Sequence, residues 1–156
     1  MGMYTEFVFG VSLLSTIPKE VIDILDFLVN SSEFNYTNNL PNHKFFSNHR
    51  FRSIALCSSY YFGYSDSNSK FSLDNEGISK EYLLSIRSSI KNYNNEIEYF
   101  VDWIKPYVSN GSGTNDLLGY MLYEEASVPY LFYKDNEFEI IVNNSINASK
   151  FIPDIY

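Results

Sequence analysis

The stretch Lys91–Val108, KNYNNEIEYFVDWIKPYV, decides the fold of this 156-residue chain. Ile97, Phe100, Val101, Ile104 and Val108 fall at relative positions 0, 3, 4, 7 and 11, with Tyr107 at 10. That is the i, i+3, i+4, i+7 spacing of one helix face, so the stretch predicts an amphipathic helix laid on a core. Asn94 or Asn95 is expected to cap its start, because a short side-chain oxygen accepts from a first-turn amide. Glu96 and Glu98 suit the positive end of the dipole, and Pro106 limits how far regular helix runs.

Working outward, Tyr4 to Leu13 alternates, with Thr5, Phe7, Phe9, Val11 and Leu13 on one side, which predicts a strand with one buried face. Ser15 or Thr16 can begin the next element with Pro18 in its first turn, and Val21, Ile24, Leu25, Leu28 and Val29 predict a second amphipathic helix from Pro18 to Val29. Strand patterns are read at Phe51 to Tyr64, Lys70 to Leu73, Glu81 to Ile90 and Leu117 to Glu125. Tyr130 to Lys134 and Phe138 to Val142 make a hairpin around Asp135-Asn136. Laying Glu20 on Glu96, a shift of 76 places, superposes both helix patterns and the strands before them. A strand–helix–strand–strand unit is therefore expected twice, in halves of about 4–75 and 80–142, with a polar tail over 143–156. The expected fold is α+β in a single domain, a two-layer sandwich. About six or seven mostly antiparallel strands would carry two helices on one face.

Composition bounds the chemistry. Aromatic residues make up 18% of the chain, 14 Tyr and 13 Phe among them, which opposes intrinsic disorder. Cys57 is the single cysteine, so no internal disulfide forms and a reducing compartment is expected. No apolar run reaches the ~20 residues that span a bilayer. The start, Met1 to Glu6, lacks the basic and apolar regions of a signal peptide, so the expected location is cytoplasmic. A net charge of −8 opposes direct binding to a nucleic-acid backbone and suits a partner with a basic face.

Candidate binding residues fall in three groups. The sheet face left open by the helices is expected to show Glu6, Val8, Gly10, Ser12, Ala55, Cys57, Ser59, Tyr61, Ser85, Arg87 and Ser89. Arg87 and Tyr61 stand up among small side chains there, placed to grip a carboxylate or phosphate. Residues 42–52 place His43, Lys44, His49, Arg50 and Arg52 among phenylalanines. This local basic patch suits phosphate or base recognition. Glu124, Glu125, Asp135, Glu137 and Glu139 form an acidic rim for a basic protein surface. His43, His49 and Cys57 match no common zinc spacing, and no metal or cofactor is expected. No nucleophile elbow or phosphate loop is present in the sequence.

Leu40-Pro41-Asn42-His43 with Phe45-Phe46, Ser58 to Phe62, Ser88 to Tyr93 running into Glu96-Ile97-Glu98, Phe100 to Ile104, Gly119-Tyr120, Tyr123-Glu124-Glu125, Pro129 and Tyr133 form a set. In these pieces the chain resembles a small uncharacterised family carried by phages and other mobile elements. The resemblance implies a genomic setting and no mechanism. The first expectation is a non-enzymatic binding protein that neutralises a host factor, through a basic protein partner or by sequestering a small anionic nucleotide. The alternatives are an enzyme on a small phosphorylated or nucleotide substrate, using His43, His49 and Arg87, and an immunity-type or structural interaction protein.

Overall fold

The computed structural model describes residues 3–33, 40–56, 69–74, 80–109, 117–134 and 140–144. The strands are β1 (Thr5–Leu13), β2 (Lys70–Leu73), β3 (Tyr82–Ile90), β4 (Leu117–Tyr123), β5 (Tyr130–Lys134) and β6 (Ile140–Asn144). The helices are α1 (Lys19–Asn30) and α2 (Glu96–Ile104). Short 3-10 helices occupy Lys44–Ser47 and His49–Ser53, and Lys105–Tyr107 continues α2 as a third.

The six strands form one sheet in the order β2-β3-β1-β4-β5-β6, and every neighbouring pair is antiparallel. β1-α1-β2 and β3-α2-β4 interleave within it. Each unit leaves a one-strand gap that the first strand of the other fills, which is the split βαβ connectivity. The fold is thus α+β. The strand–helix–strand part of the expected repeat is present in both halves; residues 57–68, where the first half's further strand is expected, lie outside the described set.

β1 is the centre. Its alternation is seen as read: Thr5, Phe7, Phe9, Val11 and Leu13 are buried, while Gly10 is exposed. The Phe7 ring lies 5.7 Å from Phe9 and edge-on to Phe100 and Phe132 at 6.0 and 5.9 Å. Edge-to-face pairs of this kind contribute about 0.5–1.5 kcal/mol beyond their burial. Val21, Ile24, Leu25 and Leu28 of α1 belong to the same core, as do Ile97, Phe100, Val101, Trp103 and Ile104 of α2.

Three expectations are corrected. Residues 51–56 are not strand: Phe51 lies within a 3-10 helix that ends at Ser53, and the chain then turns through Ile54 and Ala55. The Asn48 side chain starts that helix by accepting from the Arg50 amide at 3.1 Å. Ile54 and Ala55 are both buried, which consecutive residues of a one-faced strand cannot be. Ala55 therefore lies in the core and not on the open sheet face; residues 57–64 lie outside the described set. The second correction concerns the cap of α2: the nine-residue helix begins at Glu96, directly after Asn95 as expected, but the Asn95 side chain makes no cap hydrogen bond. The first-turn acceptor comes from Asn92, whose Oδ1 accepts from the Ile97 amide at 2.8 Å. Asn95 instead turns the chain with φ of 58° and caps nothing with its side chain. Third, β4 ends at Tyr123, so Glu124 and Glu125 sit in a turn closed by the Ala126 amide on Tyr123 O at 2.8 Å. β6 runs two residues later than the expected hairpin strand. Among the described residues no helix is long and apolar enough to cross a membrane.

Candidate functional site

The basic segment 43–53 is built from two caps. His43 Nδ1 accepts from the Phe45 amide at 3.1 Å and starts the first 3-10 helix, as Asn48 starts the second. Phe45 and Phe51 are buried, and Phe46 is half-buried against the same core. Phe45 stacks on Trp103 at 5.6 Å and meets Phe100 edge-on at 5.3 Å, and Phe46 meets Trp103 at 5.1 Å. The aromatic residues thus clamp the segment to α2 and turn its cations outward. Lys44 lies over the Tyr99 ring at 5.7 Å and Arg52 over Phe51 at 6.0 Å.

Arg50 reaches furthest. Its guanidinium sits 5.0 Å from the centre of the Tyr93 ring, and Nη1 lies 3.9 Å from Glu96 Oε1. Glu96 is 2% exposed and also accepts from the Asn94 amide at 3.0 Å, so the buried carboxylate fixes the cation from below. From the other side comes Lys91, the residue after β3, whose Nζ lies 5.6 Å over the Tyr4 ring. Tyr4, Arg50, Ser53, Ile90 and Lys91 line one cavity of about 220 Å³. Segments forty residues apart in sequence thereby place two cations, each backed by a tyrosine ring, around one opening.

The other predicted residues are placed as follows. His43 turns Nε2 to Asp102 Oδ2 at 3.0 Å, and because Nδ1 accepts, the neutral ring carries its proton on Nε2. His49 is exposed. Arg87 is half-buried on the face of β3 that turns from the core, opposite Val8, and its amide donates to Ser69 Oγ at 3.1 Å. It is not among the described residues lining the Arg50 cavity. Arg50 and Lys91 line the same cavity. Glu124 is half-buried and Glu125 exposed, next to Tyr123. Tyr61, Cys57, Asp135, Glu137 and Glu139 lie outside the described residues.

Of the residues expected on the open sheet face, Gly10, Ser12 and Ser85 line one concavity. Gly10, Ser12, Lys70, Ser72, Leu83 and Ser85 are among the residues lining a shallow concavity of about 440 Å³, and elsewhere Tyr120 Oη donates to Glu6 Oε1 at 2.7 Å. Ser89, expected on that face, is buried. Among the described residues no group of three or more His, Cys, Asp or Glu is arranged to hold a metal.

Lys91, Tyr4 and Tyr93 were missed by sequence reasoning. Lys91 and Tyr93 follow the point where the alternation of β3 stops, which marks a strand end and nothing chemical. Only the register that pairs Thr5 with Ile90 brings Tyr4 beside Lys91. Comparison with protein-family models, curated proteins and solved structures finds no match for this chain.

Proposed function

We propose that the chain is a non-enzymatic binding protein that captures a small phosphorylated ligand, of nucleotide class, at the Arg50–Lys91 cavity. The observation that carries this reading is the convergence of the two cations on one opening of about 220 Å³. That volume holds a phosphate-sized group with the rest of the ligand projecting to solvent. The planar guanidinium of Arg50 and the half-exposed Tyr93 ring offer stacking faces for a base. The lining supplies two cations, a phenol and a hydroxyl. Among the described residues it includes no carboxylate or imidazole to move a proton, which favours capture over turnover. The reading also takes the fold as a two-layer sandwich, with both helices over one sheet face; the single core shared by α1, α2 and β1 supports it. In the mobile-element setting that the resemblance implies, such capture would deprive a host factor of its messenger.

Calorimetry with inorganic phosphate, a nucleoside monophosphate, a nucleoside diphosphate and a cyclic dinucleotide tests this. We expect one site for at least one nucleotide, weakening as salt rises. Arg50→Ala strands buried Glu96, so Lys91→Gln is the cleaner variant. It should cost about tenfold or more in affinity, the size of a lost charged hydrogen bond, with the melting temperature unchanged. Absence of binding by the whole panel, or equal affinity in Lys91→Gln, would falsify the proposal.

A further inference from the structure

The connection that carries Lys91 also walls a second cavity of opposite character. Asn92, Glu98, Met121, Tyr123 and Tyr130 are among the residues lining about 210 Å³ between the start of α2 and the β4–β5 turn. We infer that this cavity takes a lysine or arginine side chain from a basic protein partner. The site is separate from the Arg50 cavity and does not rest on the anion-capture reading.

The walls have the chemistry a cation needs. Tyr123 and Tyr130 are 38% and 48% exposed, so both rings offer area to an incoming group. An aromatic face attracts a cation through its quadrupole, most strongly where water is partly excluded. Glu98 supplies the charge. Its Oε2 accepts from Asn92 Nδ2 at 2.8 Å, which fixes the carboxylate, and Oε1 carries no hydrogen bond among the described residues. The surroundings reinforce the sign. Partial burial, and then the nearby carboxylates of Glu125 and Glu124, push the Tyr123 hydroxyl above its usual range.

One feature opposes a cation. The cavity lies at the N-terminus of α2, where the dipole is equivalent to roughly half a positive charge. Two full negative charges, Glu96 and Glu98, stand in that first turn. The Ile97 amide is already taken by Asn92, so the helix end presents little positive charge to a ligand.

A protein partner fits better than a free amine. Glu124 and Glu125 continue the acidic surface beyond the cavity, where only a chain bearing further basic residues would meet them. The net charge of −8 would steer such a chain in.

Calorimetry with a short, end-blocked peptide rich in Lys and Arg is the test. The peptide should bind, more weakly as salt rises, and an acidic peptide of the same length should not. Glu98→Gln keeps an acceptor for Asn92 and removes the charge; Tyr130→Leu keeps apolar bulk and removes the aromatic face. Each should weaken the peptide about fivefold or more with an unchanged melting temperature. Lys91→Gln should leave it intact, so loss of nucleotide binding and loss of peptide binding read out separately. Three results overturn the assignment: no peptide binding, equal affinity in both cavity variants, or butylamine competing as tightly as the peptide.

Discussion

Gly119 is the residue with least freedom in the sheet. A Cβ built there would stand 1.9 Å from the Val8 carbonyl oxygen, a backbone atom with nowhere to move, at the irregularity between Leu117 and Gly119. Gly119→Ala should therefore push β4 off β1 and cost about 3 kcal/mol, read as a melting point lower by roughly 10 °C. Gly10 is the control, because a Cβ there meets nothing within 4 Å. Gly10→Ala should change stability by no more than about 0.5 kcal/mol. The sequence separates the two poorly: both are glycines in strand-like patterns, and the difference lies in how closely a neighbouring strand passes. At the same scale, Arg50 was legible as part of a basic, Phe-rich segment. Its partner Lys91 was not, since a lone cation at a strand end resembles any solvated lysine.

Among the elements, α2 shows how a helix start is set by a residue outside it. Asn92 spends Oδ1 on the Ile97 amide and Nδ2 on Glu98, so one side chain both accepts from the first turn and aims a carboxylate. Asn92→Ala should cost about 1 kcal/mol of stability in chemical denaturation. Asn95→Gly should be neutral or stabilising by up to about 1 kcal/mol, because φ of 58° suits glycine better. The apolar periodicity of α1 and α2 and the alternation of β1 and β3 were legible, because each element buries one face and leaves the other wet. Residues 51–56 were misread because a few alternating apolar positions also fit a 3-10 segment whose neighbours are both buried. The signal that separates them is Asn48, a cap residue directly before His49. The acidic hairpin tip, Asp135 to Glu139, lies outside the described residues.

Over the whole molecule, one connection, residues 91–95, parts two cavities of opposite lining. Arg50 and Lys91 serve one; Glu98 and two tyrosines serve the other. The net charge announced only the acidic half of that arrangement. The positive cavity depends on a long-range register that no local pattern carries. The core, by contrast, is shared. Phe45, Phe51, Phe100, Trp103 and the phenylalanines of β1 belong to one cluster, so the 43–53 segment is no separate module. Denaturation followed by backbone circular dichroism and by side-chain fluorescence should give coincident two-state transitions. An earlier fluorescence transition would mean that the basic segment peels away first.

Trp103 is the single tryptophan, 5% exposed and stacked against Phe45. The chain thus carries its own optical reporter, packed against the segment that bears Arg50 and not among the described residues lining either cavity. A ligand that fills either cavity without disturbing the scaffold should leave the emission blue and unquenched. A red shift on titration would reveal that binding has lifted the segment from its seat.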